Sequence, residues 1–355
     1  MKKFVSVLAP MAFAWASVAN AQTAVITLHH QGVSSMFYIP TTTLEDVINI
    51  HASPGDTIVM PGGIIPFTSF TMDKSLTIVG AGFHQNGVPV TQKTIIPYSP
   101  NGLILGPNSD NTSIHGIDFE SPVSHANGAD NISFTRCEFS SASLYQGNGP
   151  HPTGITFRHC VFRSAVLGGF TQGSTFLNCI FQEGIGFSSA ASNVLVEHCL
   201  VMSPNLGSNQ TSQAVTYRHN LFVINGSAAT VNNLAQFQNN FFAFTQAPGA
   251  LSWGGANQSA NGSSANAAGQ FVSAPSFSTF EYNYNYHLNT GAGGIAANHP
   301  TLDQTEVGIY GGLGNDPWKE LAIPFNPHWD LLVVPGSTSN GQLTPVQIGG
   351  SAQPH

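Results

Sequence analysis

Charge is what this sequence has least of. Only 7% of its 355 residues are Asp, Glu, Lys or Arg, against roughly 25% in ordinary soluble chains. The surface must therefore be built mainly from neutral polar groups. Positive charge is scarcest, with 9 Lys+Arg against 17 Asp+Glu and a net charge of −8, and two of the lysines, Lys2 and Lys3, sit in the first three residues. No basic cluster remains beyond them, and a nucleic-acid binder needs one to displace counterions. Cysteine is also sparse, at four residues, so a small disulfide scaffold is excluded. No apolar run after residue 21 is long enough to span a bilayer. What is abundant is 24 Phe and 37 Gly, enough aromatic material for a core and too much glycine for a helical bundle.

The first 21 residues combine a positive start, an apolar run from Phe4 to Val18 and the small-residue site Ala19-Asn20-Ala21. That is the pattern of a secretory signal peptide, with Gln22 as the expected mature N-terminus. The expected product is exported, to the cell surface, the medium or the periplasm.

Cys137, Cys160, Cys179 and Cys199 fall in one repeated phrase, followed at the same phase by Asn220 and Asn240. The spacings are 23, 19, 20, 21 and 20 residues, and self-similarity at a fixed period marks a stacked repeat. The phrases occupy 132–139, 155–162, 174–181, 194–201, 215–222 and 235–242. Each alternates apolar and polar residues as a strand does, breaks the alternation for two residues, then adds an aromatic or aliphatic side chain. A period near 20 leaves room for three short strands and three corners per coil. Phe134, Phe157, Phe176, Val196, Tyr217 and Phe237 form one expected inward column. Phe139, Phe162, Phe181, Val201, Phe222 and Phe242 form another. The cysteines become one corner column of free thiols, because in-register side chains point the same way and do not converge as a disulfide requires. Thiol titration of the denatured, unreduced protein should then count four.

On these phrases the chain resembles the right-handed parallel β-helix of the pectin-lyase-like superfamily. Thr43 to Ile58 is similar to that group's N-terminal cap, with Thr43 and Asp46 as a near capping box and Leu44, Val47, Ile48 and His51 on one helical face. Ile58 to Gly63, Leu76 to Gly82 and Ile114 to Phe119 resemble the first coils. Tyr286-His287-Leu288, Val307 to Gly312, Pro324 and Pro327 resemble the tail of exported β-helix proteins from Bacteroidetes-type bacteria, with Leu302 to Glu306 standing in for an aspartate-rich stretch. The expected architecture is all-β, a three-strand-per-coil solenoid with a capping helix and a C-terminal cap. Its divisions are 1–21 signal, 22–53 cap, 54–300 β-helix and 301–355 C-terminal cap and tail. Gly249 to Gly269, rich in Gly, Ala, Asn and Ser, reads as loop or the end of the regular coils. The aromatics after it (Tyr282, Tyr284, Tyr286, Tyr310, Trp318 and Trp329) read as a cover for the open core.

The resemblance implies polysaccharide lyases and hydrolases, which need a Lys or Arg base with Ca²⁺-holding carboxylates, or two or three carboxylates on neighbouring coils. The stretches 142–153, 164–173, 183–193, 203–214 and 225–234, between the phrases, hold one charged residue, Glu183. The remaining candidates lie on outward positions inside the phrases. One column contains Arg158, Glu197 and Arg218, and beside it stand His198 and His219. Acid, base and imidazole there would suit a small acid/base or metal site, and a solvated ion pair is the preferred alternative. In that case Glu197→Gln would cost less than about 1 kcal/mol. Asp110, Asp118, Glu120 and Asp130 are the residues for a Ca²⁺ site, although Asp-Asn pairs at 110 and 130 equally make polar turns. No other cofactor is expected. The leading expectation is an exported, non-catalytic β-helix protein with a neutral polar surface that binds a polysaccharide or cell-surface glycan, or serves a structural or adhesive role. The alternative is a polysaccharide lyase or glycoside hydrolase with divergent catalytic residues.

Overall fold

The computed structural model describes residues 25–318 apart from 40, 85–91, 126–127, 141–143, 147–151, 165–171, 186–191, 203–214, 232–234, 255–256, 275–276, 278 and 313–317. It also describes the strands His328–Val333, Thr338–Ser339, Gln342–Leu343 and Gln347–Ser351. The signal-peptide segment, Pro324 and Pro327 lie outside the described residues.

The chain begins with a hairpin, β1 (Val25–His30) and β2 (Val33–Tyr38), closed by Gln31 and Gly32 at φ 47° and 83°. Two successive positive φ angles are what a two-residue hairpin turn requires. A short helix, α1 (Leu44–Asp46), continues as a π-helical turn over Val47–His51. Thr43 and Asp46 form the expected reciprocal capping box. Lys74 closes the other end by donating to the carbonyls of Ile48, Asn49 and Ala52. Leu44, Val47 and Ile48 are buried in the end of the core. His51 is a correction: the wider π turn carries it off the apolar face, and it is exposed with its ring 4.6 Å from Phe37.

Beyond the cap, parallel coils stack into a β-solenoid. Its first sheet has twelve strands: β2, β1, β3 (Thr57–Val59), then one strand from each coil as far as Asn257–Ser259. A second sheet of ten strands runs from Gly63–Ile64 to Gly262–Ser264. The third side is a four-stranded sheet in the early coils and the pair Ala228–Val231 with Ala250–Trp253 in the late ones. The expected inward columns exist. Successive rings stack at 5.0 Å (Phe134–Phe157), 4.8 Å (Phe157–Phe176), 4.7 Å (Phe162–Phe181) and 4.8 Å (Phe222–Phe242), with planes within 7° of parallel. Each such burial contributes roughly 1.5–3 kcal/mol, so the two columns dominate the interior.

The four cysteines are free and fully buried. Their thiols donate to carbonyls of the preceding coil, Cys160 to Phe134 at 3.5 Å and Cys199 to Phe176 at 3.5 Å. Asn220 and Asn240 place amide nitrogens at the same station, donating to Val196 O at 2.8 Å and Tyr217 O at 2.9 Å. The column then runs one coil further than the phrases show, because Asn261 donates to Phe237 O at 2.9 Å. The low-complexity stretch is therefore the last coil, which fits its reading as the end of the regular coils rather than as a loop. Small residues suffice there because Trp253 lies across the end of the stack, 5.6 Å from Phe237 and 5.7 Å from Phe242.

A further correction concerns the aromatics of the tail. Phe271, Phe277, Phe280, Tyr286, Ile309 and Trp318 do not close the solenoid's end. They lie against the outer face of the ten-stranded sheet, over Val161, Ile180, Leu200, Leu221 and Phe241. Under the cover that sheet is buried on both faces, which is why its strands there read as continuous apolar runs such as Leu221–Ile224 and Phe241–Phe244. Tyr282, Tyr284 and Tyr310 pack at the margin of this layer.

Candidate functional site

The corner between the two large sheets is made by residues held at positive φ on successive coils: Arg136 (54°), His159 (53°), Asn178 (50°), His198 (51°), His219 (57°) and Asn239 (53°). His and Asn tolerate this left-handed conformation better than most side chains. The sequence places these residues on a solvated edge, and here the structure corrects it. All six are buried, and residues 300–312 of the cover run across the last four of them. Asn178 donates its amide to Ile309 O at 2.8 Å and Gly311 O at 2.6 Å, Asn239 donates to Pro300 O at 3.0 Å, and Gly308 N–H donates to His219 O at 2.8 Å.

At this strap, five ionisable side chains meet. Glu197 and Arg218 pair across one coil step, Arg218 Nε to Oε1 at 2.5 Å and a terminal nitrogen to Oε2 at 3.0 Å. His219 Nδ1 stands 3.3 Å from Glu197 Oε1 and 3.2 Å from His198 Nε2. The fifth member, Asp303, comes from the strap, with Oδ2 2.7 Å from His198 Nε2. Sequence reasoning did not select Asp303. Its signal was faint, one acid in the degenerate stretch before Val307-Gly308-Ile309-Tyr310-Gly311-Gly312.

The proton positions follow from one backbone contact. Leu302 N–H donates to His219 Nε2 at 3.0 Å, so that nitrogen supplies a lone pair and the ring proton sits on Nδ1, directed at Glu197. His198 carries its proton on Nε2 and donates it to Asp303; its Nδ1 is buried without a hydrogen-bond partner. Burial lowers the pKa of His198 against the opposing pull of Asp303, so the ring is neutral. Burial alone would raise Asp303, yet the hydrogen bonds from His198 and Thr305 outweigh it and hold the carboxyl well below its usual range. Glu197 is likewise lowered: its bonds from His219 and Arg218 exceed the effect of burial.

Glu197, His198 and His219 also have the composition of a metal site. Within this trio His219 Nδ1 lies 3.2 Å from His198 Nε2 and 3.3 Å from Glu197 Oε1, close to the roughly 3.3 Å that tetrahedral ligands around Zn²⁺ would show. The donor chemistry disagrees. A metal would need the His219 Nδ1 lone pair, but the Leu302 amide already occupies the lone pair at Nε2, leaving Nδ1 protonated. The cluster fits a hydrogen-bonded latch.

The other candidates are dispersed. Arg158 shares the outward column with Glu197 but lies two coils earlier. Glu183 is exposed just after the strand Ile180–Phe181. Asp110 accepts from Asp130 N–H at 2.8 Å and Asp130 from Thr153 N–H at 2.7 Å, so these two tie successive turns together. Glu120 is exposed, whereas Asp118 is buried on the outer face of the ten-stranded sheet and paired with Lys93. The four acids do not converge on one point. Asp118 does have an acidic neighbour that sequence reasoning overlooked: Glu138 sits beside it in register on the next coil. Arg163 Nε donates to Glu138 at 2.7 Å, and Tyr282 of the cover donates to the same carboxylate. Burial and the Glu138 charge push Asp118 up to about 6, against the pull of Lys93.

The face left bare is that of the twelve-stranded sheet. In register along it stand the outward residues Thr57, Thr77, Ser113, Ser133, Thr156, Thr175, Leu195, Thr216, Gln236 and Asn257. The column contains no charge and, but for Leu195, consists of hydroxyls and amides. Ser133 donates to Ser113 Oγ at 2.9 Å, so neighbouring rungs engage one another. Among the described residues no helix is long and apolar enough to cross a membrane. No protein-family model, curated protein or solved structure matches this chain.

Proposed function

We propose that this is an exported, non-catalytic β-helix protein whose bare sheet binds neutral glycans at the cell exterior, in an adhesive or structural role. The observation that carries the reading is the uncharged column from Thr57 to Asn257, spaced one coil apart at about 4.8 Å. A row of hydroxyls and amides exchanges hydrogen bonds with sugar hydroxyls while carrying no charge to select uronates. The acid and imidazole groups of the corner cluster, by contrast, lie beneath the cover and are engaged with one another.

The alternative, a polysaccharide hydrolase, has one observation in its favour: Asp118, raised to about 6, beside the Arg163-bound Glu138. Two carboxyls with separated pKa values are the usual acid/base arrangement. However, Asp118 is only 1% exposed and faces Lys93, so substrate has no path to it in this conformation.

Co-sedimentation with insoluble neutral polysaccharides, and product assays on neutral and uronate polymers with and without Ca²⁺, separate the readings. Binding without cleavage, reduced by Thr156→Val with Thr175→Val, is expected. Cleavage at enzymatic rates, or no binding to any neutral polymer, would overturn the proposal.

A further inference from the structure

At the solenoid's N-terminal end, β2 is the last strand of the twelve-stranded sheet and, among the described residues, pairs only with β1. An exposed sheet edge is a template for another strand, and proteins usually guard it with charge, proline or a bulge. None of these guards is present. Val33–Tyr38 reads Val-Ser-Ser-Met-Phe-Tyr, and its register with β1 is unbroken over six residue pairs.

The backbone groups available at this edge can be identified. The pair flanking a two-residue turn, His30 with Val33, exchanges both hydrogen bonds, so Ser35 and Phe37 also bond toward β1. Ser34, Met36 and Tyr38 therefore direct their N–H and C=O groups away from the sheet. Consistent with this, Tyr38 O accepts from Thr41 Oγ1 and Thr42 N–H on the outer side. Ser34 and Met36 remain as the docking pair. The surroundings are apolar: Val33 (65% exposed), Met36 (65%) and Tyr38 (53%) are joined at this end by Ile50 (69%) of the capping turn.

We infer that two copies of this chain associate end to end, β2 pairing antiparallel with β2 of the other about a two-fold axis at Ser35. Charge favours a second copy. The chain carries a net −8, and this edge, which holds no Asp, Glu, Lys or Arg, is a place where two copies meet without bringing like charges into opposition. The register is self-complementary, since an axis at Ser35 places Ser34 of each copy opposite Met36 of the other, as an isologous contact requires. Antiparallel pairing also keeps the outward faces of both sheets on one side. The column from Asn257 to Thr57 continues through His29 and Ser34, which share its register, into the second copy. That doubling of the ligand face rests on the proposed glycan-binding role; the pairing itself does not.

The test is sedimentation velocity on the full exported chain over a range of concentrations, with Met36→Lys, Ser34→Lys and Ser35→Cys variants. Ser35 would face its own copy at a Cα separation of about 4.5 Å, within reach of a disulfide, and the native thiols are all buried. A dimer is expected whose dissociation constant rises about tenfold or more with either lysine, with the thermal midpoint unchanged at concentrations where the parent is monomeric, and which Ser35→Cys traps covalently on oxidation. A monomer at every concentration would overturn the inference. So would a dimer that neither lysine weakens and Ser35→Cys fails to trap. Both results are independent of whether any glycan binds.

Discussion

His198 and Asp303 are 105 positions apart in the chain, and their side chains meet at 2.7 Å beneath the strap that covers the corner of the solenoid. The contact ties the C-terminal cover to a residue fixed by the coil stack. Asp303→Asn keeps the shape but removes the charge that accepts the His198 proton. The expected cost is about 2 kcal/mol, felt mainly as opening of the strap. Hydrogen exchange should show faster exchange at Leu302 and Gly308 while the interior of the coils stays protected. Unchanged exchange there would mean that Asp303 does not hold the strap.

Glu197 is the partner of both Arg218 and His219, and its side chain is 14% exposed. The small effect expected of a solvated pair therefore gives way to a larger one. Glu197→Gln should cost about 1–2 kcal/mol in urea unfolding, because the Arg218 charge and the buried His219 N–H both lose an ionised acceptor. A change below a few tenths of a kcal/mol would return the pair to the ordinary surface class.

Gly311 is required by close approach. A Cβ built on it would fall 2.4 Å from His198 Nδ1 and 1.9 Å from Glu306 O. Neither neighbour can retreat, since one is locked in the corner column and the other is backbone. Gly311→Ala should destabilise by about 1–3 kcal/mol and make the segment after residue 300 sensitive to protease. A variant as resistant as the parent would show that the strap sits less tightly on His198.

The coil stack was legible in the sequence because its residues repeat. Cys137 through Asn240 mark one station, and the aromatic columns fall at fixed offsets from it, so local patterning and tertiary register carry the same information. The latch was half legible. Glu197, His198, Arg218 and His219 belong to the repeat and could be placed together, but Asp303 belongs to the strap, and no period relates it to them. Burial of the corner was misjudged for the same reason: His and Asn suit a left-handed turn whether or not another segment covers it. Glu138 escaped notice because it occupies a station where later coils carry Val161, Ile180 and Leu200, so it read as one more strand residue. The coil at Asn257–Ser264 was hidden by its small side chains, which only Trp253 at the end of the stack explains.

Asp118 gives a pH test with a definite sign. Its folded pKa is raised to about 6, chiefly by burial and then by Glu138. Its favourable contribution is thus complete below its unfolded value near 4 and is lost as pH rises through about 6. Glu197 and Asp303, whose pKa values are lowered, act in the opposite sense: they stabilise above the unfolded carboxylate range, and that contribution is lost on acidification. Urea unfolding of the parent and of Asp118→Asn at pH 4 and pH 7.5 isolates the first effect. Relative to the variant, the parent should lose about 2 kcal/mol between the two pH values. Equal pH dependence would show that Lys93 keeps Asp118 ionised throughout.

The corner column ends at Ala260, held at φ 50° on the coil that carries Asn257–Ser259. The earlier stations use His, Asn or Arg, and the station before them is Gly116 at φ 66°. Alanine gains nothing from a left-handed turn, because its Cβ crowds the following carbonyl and it has no polar side chain to bond locally. Ala260→Gly removes that crowding, which is worth about 1–2 kcal/mol. Glycine also gives up about 0.5–1 kcal/mol through its freer unfolded chain. The difference leaves a small net gain, up to about 1 kcal/mol, and a corresponding rise in the thermal midpoint. Gly116→Ala supplies the reverse measurement, with an added steric cost because a Cβ there would fall 3.1 Å from Gly80 O. Stabilisation by the first change and destabilisation by the second would establish that backbone conformation at these corners, rather than the identity of any one side chain, sets how tightly successive coils close. If Ala260→Gly destabilises instead, the last coil is held in its corner by contacts that outweigh the strain.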